Sequence, residues 1–196
     1  WGCPYSCSYC AAGMIEPIPE QRQPAAVVDE IEDYVTGFGT TDLAFYDNAL
    51  LYRDRDHIDP ILIGVMERNL HCRFHTPNGL HAGLLTRKTA VLMQETGFIN
   101  PRLSLETSDP VKQQKTGGKV SSADLARALD FLESAGYRRA EVLVYTMAGL
   151  PDQSPEEVRR DIEFIHGLGA RIVPAAFSPI PRTPDYRRLE EEGVIE

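Results

Sequence analysis

Cys3, Cys7 and Cys10 stand four and then three residues apart in the run Cys3-Pro4-Tyr5-Ser6-Cys7-Ser8-Tyr9-Cys10. A loop of that length wraps round one small inorganic centre and presents three thiols to it. Cysteine thiolates hold iron–sulfur clusters, normally in sets of four. Three closely spaced ones suit a four-iron cluster in which one iron keeps an open site. Zinc is the competing reading, and it takes four ligands in closed tetrahedral geometry. Zinc modules usually carry a second Cys or His pair at matching spacing. Here the only other cysteine is Cys72, flanked by His71 and His75, which leaves a distant fourth ligand conceivable. Disulfides fit least well, because three cysteines within eight residues cannot all pair.

The elements that must position this loop alternate along the chain. A polar, proline-containing connector, residues 11–23, leads to Pro24. There Val27, Val28, Ile31, Tyr34 and Val35 recur at helical spacing, with Gly37 and Gly39 ending the helix. Residues 42–48 read as a short buried strand that finishes in Asp47-Asn48. Helical patterns follow over 58–69, 84–95, 121–135 and 154–166, with a short acidic helix from Pro184. Strand patterns fall at 72–76, 102–106, 141–147 and 172–177. Regular alternation with short loops predicts parallel strands joined by right-handed helical crossovers. Five strands follow the cysteine loop, and a sixth, ahead of Trp1, would deliver the cysteines from its C-terminal end. Six such units make an incomplete barrel, while a flavodoxin-like open sheet fits the same alternation. In both architectures ligands gather at the C-terminal ends of the strands. Asp47, Asn48, Glu106 and the Gly149 turn all fall at those ends.

Several segments together resemble the radical S-adenosylmethionine (radical SAM) superfamily. They are the cysteine spacing with an aromatic residue before the last cysteine, His75-Thr76-Pro77-Asn78-Gly79-Leu80, Arg102-Leu103-Ser104-Leu105-Glu106-Thr107, Met147-Ala148-Gly149-Leu150-Pro151 with Glu157, and Pro179-Ile180-Pro181-Arg182-Thr183-Pro184. They lie in the family's order over nearly the whole chain. The later segments are similar to the branch with cobalamin-linked, methylthiotransferase-like and Elongator-like members. The resemblance implies an α/β fold: a partial (βα)6 barrel of parallel strands with outer helices, lacking its first strand. It also implies a single core domain over residues 1–196, part of a longer protein.

The resemblance implies roles residue by residue. Cys3, Cys7 and Cys10 would ligate three irons of a 4Fe–4S cluster, whose open iron chelates the amino and carboxylate groups of S-adenosylmethionine (SAM). Tyr9 would lie against the SAM adenine. Asp47 and Asn48 stand where the family often has a Gly-Gly-Glu run for the SAM amino group. Glu106 would accept from the ribose hydroxyls, and Lys119 would meet the SAM carboxylate. Gly149 and Pro151 would shape backbone near SAM, glycine by permitting close approach. Pro179 and Ile180 would line the adenine pocket. His71, His75 and His81 receive no catalytic role, and Cys72 reads as a small buried hydrophobe. The implied activity is reductive cleavage of SAM to a 5′-deoxyadenosyl radical acting on an unknown substrate. An electron donor such as flavodoxin or ferredoxin would supply the electron, and cobalamin would be a further cofactor of the parent protein. A zinc-bound binding module, and a degenerate fold that keeps the cluster without SAM cleavage, are the alternatives.

Length and composition set the remaining bounds. The 196 residues suffice for one domain with a sizeable core. The net charge of −9, with no Lys/Arg run, gives nonspecific nucleic-acid binding no electrostatic footprint. No apolar run approaches the length of a membrane span. Reduced thiolates and an oxygen-sensitive cluster imply a reducing compartment, the cytoplasm.

Overall fold

The computed structural model describes residues 2–16, 18–53 and 56–195. Five parallel strands alternate with helices in it. After α1 (Ala12–Ile15) come α2 (Pro24–Glu32), β1 (Asp42–Ala44), α3 (Ile58–Glu67), β2 (Arg73–His75), α4 (Arg87–Glu95) and β3 (Arg102–Ser104). There follow α5 (Pro110–Lys115), α6 (Ser122–Ala135), β4 (Leu143–Ala148), α7 (Pro155–Gly167), β5 (Arg171–Ala176) and α8 (Pro184–Glu191).

β1 pairs with β2, and β4 pairs with β3 on one side and β5 on the other, all parallel. Phe74 joins the two groups, donating from its N–H to the Gly97 carbonyl and accepting from the Ile99 N–H. A second link runs from the Leu80 N–H to the Arg102 carbonyl at 2.7 Å. The strands therefore stand in chain order. A doubly wound sheet reverses its order at a switch point; this wall does not. The order decides between the two architectures left open by alternation, and the fold is an incomplete parallel α/β barrel. The strand expected ahead of Trp1 lies outside the described residues.

Alternation along each strand sorts side chains between two faces. Leu103, Leu105, Val144 and Thr146 are buried. The first three join the core formed with Ile58, Ile61, Leu62 and Val65 of α3, Met93 of α4, Ile165 of α7, and Leu125, Ala128, Leu129 and Leu132 of α6. The α6 set repeats at i, i+3, i+4 and i+7, the stripe a helix needs to cover a sheet. Ser104, Glu106 and Tyr145 alternate with those buried positions and line a cavity on the other face. Phe45, Phe74 and Phe98 pack ring to ring, Phe74 lying 5.5 Å from Phe45 and 5.3 Å from Phe98 between centroids.

The helices start where side chains satisfy their free amides. Ser121 and Ser154 each form a capping box, with Asp124 and Glu157 respectively. Thr86, Asp109 and Thr183 cap α4, α5 and α8. Two short helices arise where the sequence suggests connectors. α1 lies in the stretch after the cysteines, and α5 follows Ser108 because Asp109 accepts from both the Val111 and Lys112 amides. The β1 strand is shorter than expected, since residues 46–48 leave the sheet to face ligand space.

Phe74 ties the two groups of strands through its backbone and fills the aromatic cluster with a fully buried ring. Phe74→Ala is expected to lower the unfolding free energy by about 3–5 kcal/mol in urea titration, the range for an emptied aromatic site.

Candidate metal and cofactor site

Cys3, Cys7 and Cys10 line one cavity of about 320 Å³ together with Tyr9, Asn48, Ser104, Glu106, Lys119 and Tyr145. The cavity opens at the C-terminal ends of β1–β4, where parallel α/β folds hold their ligands. All three cysteines are free thiols. The Cys10 sulfur accepts one backbone hydrogen bond, from Ala12 N–H at 3.4 Å. Among the described residues no three His, Cys, Asp or Glu side chains converge tightly enough for a single metal ion. Three thiols bordering one cavity are nevertheless the donor set that a four-iron cluster with one open iron takes, since its thiolates spread more widely than those round one ion. Cys72 lines neither this cavity nor its larger neighbour and packs against the core.

The loop is gripped at Ser8. Its N–H donates to the Thr116 carbonyl at 3.3 Å, its carbonyl accepts from the Asp185 N–H at 3.0 Å, and its hydroxyl donates to the Asp185 carboxylate at 2.7 Å. A turn closes within the motif, where Cys10 N–H donates to the Cys7 carbonyl at 3.1 Å. Gly117 lies against the same loop. A Cβ there would sit 3.2 Å from the Cys7 Cα, and its φ of +114° belongs to glycine. His81 packs against Tyr5 with ring centroids 4.7 Å apart and planes tilted by 45°. Ser8, Asp185 and Gly117 escape sequence reasoning. The hydrogen-bonded pair is 177 residues apart, and its local signal is only an acid in the first turn of α8.

Charge in the cavity is arranged around Glu106. Tyr9 donates its hydroxyl to Glu106 Oε1 at 2.6 Å, and Lys119 Nζ lies 4.0 Å from the same oxygen and 3.4 Å from Ser104 Oγ. Burial and then the Glu106 charge hold the Tyr9 phenol far above its ordinary range. Burial pushes the Cys7 thiol up, Lys119 opposes that shift, and Glu106 reinforces it. Lys119 is thus a half-buried member of the cavity with its ammonium beside a carboxylate.

The residues singled out in the sequence divide between places. Tyr9, Asn48, Glu106 and Lys119 meet in the cysteine-lined cavity. Asp47 turns instead into a larger cavity of about 780 Å³ beside β1, α2 and α3, where Ile180 also lies. Asn48 and Cys10 line both. Gly149 and Pro179, among the described residues, line neither. An added Cβ at Gly149 would meet no protein atom within 4 Å, and its φ of +87° is one that favours glycine. Tyr145 lines the cavity without having been singled out. Its hydroxyl donates to the Pro77 carbonyl at 3.0 Å and accepts from Arg102 Nη1 at 2.8 Å. His75 pairs with Asp42 on the barrel wall at 2.9 Å.

A family model described as the Radical SAM superfamily matches residues 2–165. No curated protein matches the sequence. Among solved structures, the radical SAM methyltransferase TsrM from Kitasatospora setae, with cobalamin and a 4Fe-4S cluster bound, is similar at a TM-score of 0.79 and 22% identity. That likeness covers 97% of this chain and 38% of the other. Coproporphyrinogen III oxidase (HemN) from Escherichia coli, a radical SAM enzyme, is similar at 0.70 and 13% identity, over 95% of this chain and 44% of that one. The cobalamin-dependent radical enzyme OxsB is similar at 0.69 and 13% identity, over all of this chain and 35% of that one. The chain thus spans well under half the length of these three structures. No helix among the described residues is long and apolar enough to cross a membrane.

Two outcomes test this geometry. Gly117→Ala forces a left-handed alanine into the cysteine loop, a strain of roughly 1–3 kcal/mol. Iron uptake on reconstitution should fall with far-UV circular dichroism unchanged, whereas Gly167→Ala, which meets nothing within 4 Å, should leave uptake intact. Burial, with the Lys119 charge second, pushes the His81 imidazole down to about 4 from its ordinary 6.5. Unfolding restores the higher value, so the unfolded chain binds more protons between those limits and stability falls as pH drops from 6.5 to about 4. Urea titration across that window should show a slope that His81→Phe reduces.

Proposed function

Because the chain belongs to the radical SAM superfamily, we propose that this domain binds a 4Fe–4S cluster through Cys3, Cys7 and Cys10 and holds SAM at its open iron. When bound, the two together supply one-electron reductive cleavage of the sulfonium, giving methionine and a 5′-deoxyadenosyl radical. The observation that carries the reading is that three free thiols share one cavity with Tyr9, Asn48, Glu106 and Lys119.

The chain's own residues then have defined tasks. The Ser8 grip fixes the curvature of the cysteine loop, so that its thiols border one cavity before any metal arrives. Lys119 lowers the cost of turning Cys7 into the thiolate that iron requires. Glu106 offers a carboxylate to a ribose diol, and Tyr9, bonded to it, sets its orientation and presents a ring face to adenine. Asn48 is the polar side chain from the β1 end that reaches this cavity, so the role assigned to the Asp47-Asn48 pair falls to Asn48. Its amide oxygen accepts from an ammonium. The Lys119 ammonium, shared with Glu106, is the cation available for a carboxylate.

The radical would take a hydrogen atom from an unknown substrate, and an electron donor such as flavodoxin or ferredoxin would be a separate partner. Likeness to TsrM and OxsB extends the proposal to a parent protein that also binds cobalamin; no residue named above is assigned to it. A reducing compartment, the cytoplasm, follows from the thiolate chemistry.

Anaerobic reconstitution with iron and sulfide, followed by dithionite and SAM, tests the reading. The expected result is about four irons per chain, the count of a complete cubane, and release of 5′-deoxyadenosine, both lost in Cys7→Ala. A colourless chain that takes up one zinc overturns the proposal, and a brown chain that yields no deoxyadenosine overturns its catalytic part.

A further inference from the structure

Asp161 lies on α7 with 1% of its surface exposed. Its Oδ1 accepts from the Ser108 N–H at 2.6 Å, the Ser108 hydroxyl at 2.6 Å and the Thr107 hydroxyl at 3.3 Å. Its Oδ2 accepts from Gln153 Nε2 at 3.1 Å. All four are neutral donors, and they come from two different strand-end loops. Gln153 spends its other end on the second loop: Oε1 accepts from the Gly149 N–H at 2.8 Å and the Leu150 N–H at 3.1 Å. Where the two loops begin, Met147 N–H of β4 donates to the Glu106 carbonyl at 3.0 Å.

A buried carboxylate without hydrogen-bonding partners is costly, so these loops and Asp161 hold one another in place. One loop carries Glu106, in the cavity, and the other carries the Gly149 turn. Neither Asp161 nor Gln153 reaches the cavity. We infer that Asp161 is a positioning residue: through Ser108 and Gln153 it locks the Glu106 and Gly149 loops in register, setting the SAM site before SAM arrives. This rests on the reading of the site given above.

The chemistry of the carboxylate specifies the test. Asp161→Asn keeps the shape but offers one acceptor oxygen. If that oxygen faces Ser108, the new amide NH2 faces the NH2 of Gln153. Gln153 then either gives up its bond to residue 161, keeping Nε2 on the Met147 carbonyl at 3.3 Å, or turns over and withdraws Oε1 from Gly149 and Leu150. If the oxygen faces Gln153, the NH2 opposes the Ser108 donors instead. Either orientation frees one loop. Gln153→Met removes the link to Gly149 while leaving the Ser108 bonds in place. Asp59 serves as control, being equally buried on α3 and bonded to Thr89 and Lys88 but lining neither cavity.

The experiment uses the whole chain in two states. Without cofactors, amide hydrogen exchange is followed at Ser108, Gly149 and Leu150. After anaerobic reconstitution, with iron content matched, SAM affinity is measured by equilibrium binding. In Asp161→Asn, exchange at one or both loops should quicken about tenfold and the SAM Kd should rise about tenfold, equivalent to about 1.4 kcal/mol. Gln153→Met should quicken Gly149 and Leu150 alone and also raise the Kd. Asp59→Asn should lower the melting temperature without moving the Kd. Wild-type exchange and wild-type Kd in both Asp161→Asn and Gln153→Met overturn the inference. A wild-type chain that loads its cluster yet has no affinity for SAM overturns the reading of the site, and the purpose of the brace with it.

Discussion

Ser8 stands between Cys7 and Tyr9 with its N–H, carbonyl and hydroxyl bonded to Thr116 and Asp185. The curvature of the cysteine loop depends on those bonds. A loop of eight residues has no core of its own, and nothing in its local sequence fixes where three thiols point. The grip transfers that task to the rest of the fold. Thr116 follows α5, and Asp185 opens α8, so the loop is held between segments from the middle and the end of the chain. Gly117 lets the loop approach that closely, since a side chain there would meet the Cys7 backbone. The barrel wall and its helices therefore serve the loop as much as the loop serves the cofactor.

The same cavity must bear concentrated negative charge. Three thiols would become thiolates on metal binding, and Glu106 already brings a carboxylate. The protein answers with one ammonium, Lys119, and with a neutral donor, Tyr9, directed at Glu106. Lys119 is the nearest means of easing the raised Cys7 thiol towards its ionised form. A bound cluster would bring positively charged iron to these thiolates and offset part of that charge. The three sulfurs border one cavity without metal, and the remaining polar atoms there are oriented by one another.

Much of this was legible in the sequence, for physical reasons that also mark where legibility ends. The cysteine spacing, the strand–helix alternation and the polar residues at strand ends are local patterns, and each local pattern has one dominant cause. Strand order is not local, which is why alternation left barrel and open sheet unresolved until the Phe74 and Leu80 pairings were seen. Asp47 and Asn48 are neighbours in sequence but part company in space, because the chain leaves β1 after Ala44 and no longer keeps a strand's period. Gly149 is legible as a special position, and the structure adds the left-handed turn it serves, with open space beside it. Asp161 did leave a trace. It falls three residues after Val158 and four before Ile165, on the apolar stripe of α7, where an acid has no reason to be unless something is bonded to it.

Pulsed electron paramagnetic resonance of the reduced, reconstituted chain, with SAM isotopically labelled at its carboxylate oxygens and amino nitrogen, tests the central claim most directly. The account predicts a half-integer-spin cluster whose signal changes on adding SAM and shows hyperfine coupling to both labels, because Asn48 and Lys119, in the cavity the cysteines line, would hold the amino-acid end of SAM against the cluster. A cluster signal unmoved by SAM, with no coupling to either label, would contradict it.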